Sequence, residues 1–246
     1  MDALERLAAN RRPARPRQGS QRWDRLLFVH WEVPEAVLRP HVDARLSLDT
    51  FEGRCFVGFV AFTMQRVRPW QWLPPFPTAT TFGEINLRTY VHLDGREPGV
   101  WFFSLDAHSA LAVLAARALW HLPYFRSDID SEADADGTLR WRCRRRWPKP
   151  AAAELEARCR VGEALPPSTP GTLPFFLAER YQFYTARGRR LLRARVHHPP
   201  YLLHVAHDVQ VSSTLLDAAG LPSTGARTVD LFSPGVDVDI FPIGAV

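Results

Sequence analysis

Hydrophobic and polar positions alternate most strictly at residues 82–90, FGEINLRTY. There Ile85, Leu87 and Thr89, with Val91 beyond them, interleave with Glu84, Asn86, Arg88 and Tyr90. A two-residue period places each set on its own face of a β-strand. The next apolar run, GVWFFSLDA at 99–107, lacks that alternation and reads as a strand buried on both faces. Its neighbour therefore lies deep in the fold. A glutamate, an asparagine and an arginine on one face in such a place are there to be used or to be paired. A merely solvated polar face is the plainer alternative.

The same reading runs along the rest of the chain. DRLLFVHWEV (24–33) is a strand ended by Pro34, followed by a short helix or turn at 34–40. Residues 46–51 and 54–64 form a hairpin about Glu52 and Gly53, and Gly58 in its apolar second arm marks a bulge or a close backbone approach. RPWQWLPPFP (68–77) is a packed loop and a candidate lid over a cavity. SALAVLAARALW (109–120) is the clearest helix, with Asp106 or His108 near its start and Pro123 beyond its end.

Residues 125–132 and 138–147 flank a turn at ADADG, and in the second arm Arg140, Arg142 and Arg144 alternate with Leu139, Trp141 and Cys143. Further strands follow at 155–161, 181–185, 191–197, 201–211, 228–232 and 236–241, with short helices at 175–180 and 213–219, the latter stopped by Gly220. Ten or more strands with few short helices predict a mainly β fold of the α+β kind. Its sheet is mainly antiparallel and either closed on itself or split into two packed sheets. The βα alternation of a dinucleotide-binding fold is absent, as are GxGxxG, Walker A and GxSxG motifs.

Composition narrows the class. Of 246 residues, 46% are hydrophobic and 11% aromatic, which excludes a largely disordered chain. The proline-rich stretch 166–174 leads directly into PFFLAERYQFY, so residues 21–246 read as a single domain. Residues 1–20, with Arg11, Arg12, Arg15 and Arg17 among prolines, read as a basic tail without fixed structure beyond a helical turn at 4–9. No apolar run reaches the roughly 18 residues of a membrane span, and the N-terminus lacks the apolar core of a secretory signal. The expectation is a cytoplasmic protein with no membrane insertion. Cys55, Cys143 and Cys159 form no CxxC pair and read as small core residues.

The net charge of +5 comes from arginine, because Lys149 is the only lysine. Any imine chemistry has that one candidate, in a proline-broken setting (RRRWPKP) that suits an exposed connection. His197, His198, His204 and His207 cluster in VHHPPYLLHVAH, but adjacent positions on a strand point to opposite faces and no acidic partner stands at a familiar interval. No metal and no cofactor is expected. His197 and His198, beside the diproline, are kept as candidates for contact with a ligand. Ser104, Asp106 and His108 are evenly spaced on one strand and do not make a nucleophile on a turn.

Several of these segments occur together in a known order. DRLLFVHWEV, LDTFEGRCFVGFVAFTM, GEINLRTYV, GVWFFSLDAHSALAVLAAR, LPYF and VHHPPYLL resemble the YqjF-like bacterial proteins, an uncharacterised family, from about residue 23 to residue 241. That family is similar to acetoacetate decarboxylase. The resemblance implies an antiparallel β-barrel or cone with a few short helices around a central cavity. In the decarboxylase a helix leads to a Gly-x-Pro-Lys-Lys segment, whose first lysine forms the Schiff base and whose second lowers its pKa. Here WHLPYF (120–125) occupies that segment, with Tyr124 and Phe125 in place of the lysines, and Glu84 matches the family's glutamate. A cavity is implied; the decarboxylase mechanism is not.

These readings combine into a protein that binds a small carbonyl- or carboxylate-bearing molecule. Arg88 pairs the anion, Glu84 serves as base or hydrogen-bond acceptor, Tyr124 donates a hydrogen bond, and Asn86 orients Glu84 or the ligand. Lysine-free enolisation, hydration or hydrolysis fits such a site. A homo-oligomer is compatible with the sequence. Three alternatives stand beside this reading. Glu84 and Arg88 could form a purely structural ion pair. The arginine tail and the 140–146 stripe could bind nucleic acid or an anionic surface, the less favoured partner. The fold could be a non-catalytic scaffold with its cavity filled by Phe and Trp.

Overall fold

Order begins before residue 20. Ala3–Asn10 form helix α1, and the arginine-rich stretch behind it, expected as a loose tail, is fastened to the body of the protein. Arg12 and Arg17 reach Asp239 at 2.7 and 2.6 Å, and Arg15 donates to the Pro242 carbonyl oxygen at 2.9 Å. Local composition gives no sign of these anchors, because their partners lie at the other end of the chain. The computed structural model describes residues 3–72, 81–149, 152–222 and 225–246. Of the candidate lid at 68–77, residues 73–77 lie outside the described residues.

The elements that follow are β1 (Gly19–Glu32), α2 (Glu35–Leu38), β2 (Ser47–Leu48), β3 (Phe56–Arg68), β4 (Phe82–Leu93), β5 (Arg96–Ala107), α3 (Ala110–Leu119), β6 (Tyr124–Ala133), β7 (Leu139–Trp147), β8 (Glu154–Ala164), α4 (Leu173–Ala178), β9 (Gln182–Arg187), β10 (Arg190–His197), β11 (His204–Ser213), α5 (Leu215–Ala218), β12 (Leu231–Ile240) and β13 (Gly244–Ala245). Among the described residues the strands form one sheet, ordered β13-β10-β9-β5-β6-β7-β8-β11-β12-β1-β3-β4-β2. Additional pairings, β4–β5 and β10–β12, join strands far apart in that order and curl the sheet into a cone. Among the described residues only β5–β6 and β5–β9 are parallel, so the mainly antiparallel expectation holds. No helix among the described residues is long and apolar enough to cross a membrane.

Some expected elements change partners. β2 pairs with β4, not with β3, although Phe51 and Arg54 still bridge across the expected turn, where Glu52 and Gly53 take φ of 52° and 76°. The two strands expected at 228–232 and 236–241 are one, β12. The 99–107 run is fully buried only at its ends. Trp101, Phe102 and Phe103 are half-buried, and a bulge there carries the pairing from Leu87–Ser104 to Arg88–Phe102.

β4 explains its own alternation. Both of its faces are buried, for different reasons. Ile85, Leu87 and Val91 join one large apolar cluster with Leu27, Val29, Phe59 and Trp141. Glu84, Asn86 and Arg88 face the other way, into a cavity whose walls include Leu26, Phe28, Val60 and Phe62. β1 and β3 split their residues between the same two sides. On β1, Trp23 and Leu26 both reach the cavity although three positions apart, because a bulge with Arg25 at φ 52° shifts the register between them.

Gly58 is a close approach. A Cβ there would lie 2.1 Å from His30 Cδ2 and 2.7 Å from the Val29 carbonyl oxygen. His30 cannot swing aside, since it is buried with Nε2 2.6 Å from Tyr90 Oη. Gly58→Ala is expected to cost about 1–3 kcal/mol in urea melts through overpacking. A neutral result would mean that β1 and β3 can separate at this point.

Candidate functional site

The cavity has a volume of about 230 Å3. α3 closes one side with its alanine face, Ala112, Ala115 and Ala116, and the other walls are mostly aromatic and aliphatic side chains of β1, β3, β5 and β9. The helix is set by Ser109, whose Oγ accepts from Ala112 N at 3.3 Å, so the N-cap is the serine and not Asp106 or His108. α3 ends at Trp120; His121 takes φ 53°, and the chain re-enters the sheet as β6 beside β5, with Tyr124 opposite Leu105. That route carries Tyr124 to the cavity.

At one end of the cavity Tyr124 Oη donates to Glu84 Oε2 at 2.9 Å, and both residues are buried. Burial pushes the Glu84 carboxyl up to about 8, against the hydrogen bond from Tyr124, while the nearby Asp106 charge adds to the rise. Burial, then the Glu84 charge and the shared hydrogen bond, raise the Tyr124 phenol well above its ordinary value. At neutral pH this end therefore holds a carboxylic acid with a proton to give. Of the roles expected of Glu84, hydrogen-bond acceptor or base, its carboxyl accepts from Tyr124, and its raised pKa disfavours the charged form that a base needs.

Arg88 faces the cavity four positions along the same strand. It is 8% exposed; one Nη donates to the Leu177 carbonyl oxygen at 3.0 Å, and its Nε has no partner. The expected alternative of a Glu84–Arg88 ion pair is not what the structure contains, since no salt bridge joins them among the described residues. The strand keeps them about 13 Å apart at Cα, beyond an easy side-chain meeting. Asn86 lies between them, and its buried Oδ1 also lacks a partner. The three residues make a ladder of acid, amide and guanidinium along one wall.

A fourth polar residue was not anticipated. Arg180, in the turn between α4 and β9, lines the cavity and is 6% exposed. It donates from Nε to the Phe176 carbonyl oxygen at 2.8 Å and from one Nη to Asp49 at 2.7 Å, leaving its other Nη unpartnered. The sequence signal was the charged pair Glu179–Arg180 enclosed by PFFLA and YQFY. Charges inside an apolar run imply burial with a partner.

Other candidates fall elsewhere. Val196 lines the cavity; His197, next on β10, points away from it and is half-buried near Tyr181. His198 is buried behind the wall, stacked on Tyr181 with centroids 4.4 Å apart, and its Nδ1 lies 2.8 Å from the Pro199 carbonyl oxygen. Burial pushes its pKa down to about 4, so it is neutral. The diproline bend fixes these directions, and neither histidine is among the cavity's lining residues. His204 and His207 turn to Gly162 and Glu163. Phe125 faces away from the cavity, beneath the Arg145 guanidinium at 3.7 Å. Lys149 is exposed beyond β7, outside the cavity lining.

The arginine stripe is matched by acids. Arg140 meets Asp134 at 2.6 Å, Arg144 meets Glu154 at 3.2 Å, Arg146 meets Asp128 at 2.5 Å, and Arg142 lies 3.7 Å from Glu156. Arg145, inside the range of the stripe, turns inward to Asp106. The result is a surface of mixed charge, not a basic face.

Comparison with known proteins agrees with this architecture. Residues 20–237 match the family model DUF2071, described as an uncharacterized conserved protein. The chain is 36% identical over 228 residues to the uncharacterized protein YqjF of Bacillus subtilis (strain 168), covering 91% of this chain and 90% of that one. Three solved structures share the fold at low identity. An acetoacetate decarboxylase-like enzyme from Sphingomonas wittichii RW1 superposes with a TM-score of 0.66 at 11% identity, covering 94% of each chain. An acetoacetate decarboxylase gives 0.64 at 16%, covering all of this chain and 98% of that one. The enduracididine biosynthesis enzyme MppR complexed with pyruvate gives 0.63 at 13%, covering 94% of this chain and 91% of that one.

Proposed function

The chain belongs to the DUF2071 family, and from that premise we propose that it binds a small carboxylate-bearing molecule with a carbonyl or hydroxyl group, and does so without an imine. The carboxylate lies at Arg88, and the second polar group lies at Glu84 and Tyr124. Asn86 between them can accept a hydrogen bond from a ligand hydroxyl through its free Oδ1. The observation that carries this reading is the Arg88 guanidinium, buried in an apolar cavity with a donor to spare and no carboxylate beside it among the described residues. A buried cation without a counter-charge is costly, and an anionic ligand supplies that charge. The likeness to MppR complexed with pyruvate lends analogy only, at 13% identity.

The chemistry available follows from protonation. Glu84 carries a proton at neutral pH and can donate it, or a hydrogen bond, to a carbonyl oxygen, with Tyr124 holding its orientation. No lysine lines the cavity among the described residues, so activation of a carbonyl there rests on hydrogen bonding.

Calorimetric titration with pyruvate and longer 2-oxo acids tests the proposal. Arg88→Met is expected to weaken binding by about 10- to 100-fold, the worth of a charge-assisted hydrogen bond. Glu84→Gln should weaken binding less for the plain carboxylate than for the oxo acid. Equal heats across wild type and Arg88→Met would overturn the reading.

A further inference from the structure

The Arg88 end of the cavity holds more positive charge than one carboxylate can balance. Arg88 and Arg180 both lie over Tyr90, their guanidinium carbons 5.7 and 4.7 Å from its ring centroid. Their main-chain acceptors are neighbours too, Leu177 O for Arg88 and Phe176 O for Arg180. Arg6 of α1 comes to the same place from outside. It grips Asp49 with two hydrogen bonds, at 2.8 and 2.9 Å, while Asp49 also accepts from Arg180 at 2.7 Å. The Phe176 ring lies against both guanidinium groups, 5.0 Å from that of Arg6 and 4.3 Å from that of Arg180.

Arg6 and Arg180 therefore share one carboxylate, and Arg88 beside them touches none among the described residues. Burial pushes the Asp49 carboxyl up, but Arg180 and Arg6 more than offset this and hold it below its ordinary value, so its single negative charge is present at neutral pH. The neighbouring His30 and His198 have lowered pKa values and add nothing to the balance. Guanidinium groups do not shed their protons in proteins. Glu179, the other buried carboxyl nearby, is occupied by Tyr181 Oη and Tyr201 N, while Arg88 Nε and one Nη of Arg180, both buried, have no acceptor among the described residues.

We infer that the ligand is a dianion, with Arg88 and Arg180 together taking its doubly charged end or its two charged ends. This rests on the proposal that the cavity binds an anion at Arg88 and adds its charge class. A dicarboxylate and a phosphate monoester share the required chemistry. Arg6 is a positioning residue: by occupying half of Asp49 it leaves Arg180 only partly neutralised, and so sets the charge that the cavity presents.

Titration of the full chain with butyrate, succinate and glycerol 3-phosphate at pH 7.5 tests the inference. Succinate or glycerol 3-phosphate is expected to bind at least about 10-fold more tightly than butyrate, and whichever does so identifies the source of the dianion. Arg180→Met should bring the preferred dianion to within about 3-fold of butyrate. Arg6→Gln, made on the surface helix where folding is least at risk, frees Asp49 to neutralise Arg180. It should lower the ratio of dianion to butyrate affinity. If butyrate binds and neither dianion binds more tightly, the dianion inference is overturned and anion binding at Arg88 stands. If no anion binds, both are overturned. An unchanged ratio in Arg6→Gln removes the role given to Arg6.

Discussion

Arg145→Met is expected to lower the unfolding free energy by about 3–5 kcal/mol, the cost of stranding one member of a buried ion pair. Asp106 is wholly buried and accepts from Arg145 Nε at 2.8 Å and from an Arg145 Nη at 2.7 Å, with Ser127 Oγ adding a third bond at 2.7 Å. Without the arginine a carboxylate would remain in an apolar setting with only hydroxyl donors, and the stacking on Phe125 would be lost as well. A double variant, Arg145→Met with Asp106→Leu, removes both charges and should recover at least half of the loss. Urea denaturation of the wild type and the two variants measures this. A single-variant cost below about 1 kcal/mol, or a double variant no better than the single, would show that the pair does not carry this part of the sheet.

The second large effect is a pH dependence of stability that belongs to Glu84. Its pKa is about 8 in the folded protein against 4.5 for a freely solvated glutamate, so the folded state holds a proton that the unfolded chain has released. Below pH 4.5 both states are protonated and the contribution is fully present. Between 4.5 and 8 stability falls with pH, by about 1.4 kcal/mol per unit at most, and above 8 the loss is complete. The whole change is on the order of 5 kcal/mol. Glu84→Gln keeps an acceptor for Tyr124 and has no proton to lose. Wild type and variant should therefore differ little at pH 5, and the variant should be more stable by several kcal/mol at pH 9. Other buried acids, such as Asp230 with its pKa raised to about 6, titrate equally in both proteins and cancel in the difference. Parallel stability profiles from pH 5 to pH 9 would show that Glu84 is already ionised in the fold.

The split of β4 into two faces was legible in the chain because it is a local property. Alternation puts Ile85 and Leu87 on one side and Glu84, Asn86 and Arg88 on the other, wherever the strand ends up. Likewise Ser109 and Pro123 bracket α3 through interactions within a few residues, and the mainly β class follows from many short periodic runs. Tyr124 was reached through the order of segments shared with a known family, and the direction of its side chain follows from the turn at His121.

What a residue meets across the sheet was not legible. The two faces of β4 look alike as burial, and only the curled sheet makes one of them a packed core and the other a cavity. Arg180 and Asp49 are 131 residues apart, Arg145 and Asp106 are 39 apart, and Arg6 reaches Asp49 from a segment that composition marked as loose. Strand pairing decides those meetings, and pairing depends on loop paths and bulges spread over the whole chain. The protonation of Glu84 has the same origin, because burial raises its pKa and burial exists only once α3 and the aromatic walls have closed around it. By itself the sequence determined which side chains share a face. The tertiary structure decided which charges find partners and which are left for a ligand, because that depends on distances that no local pattern encodes.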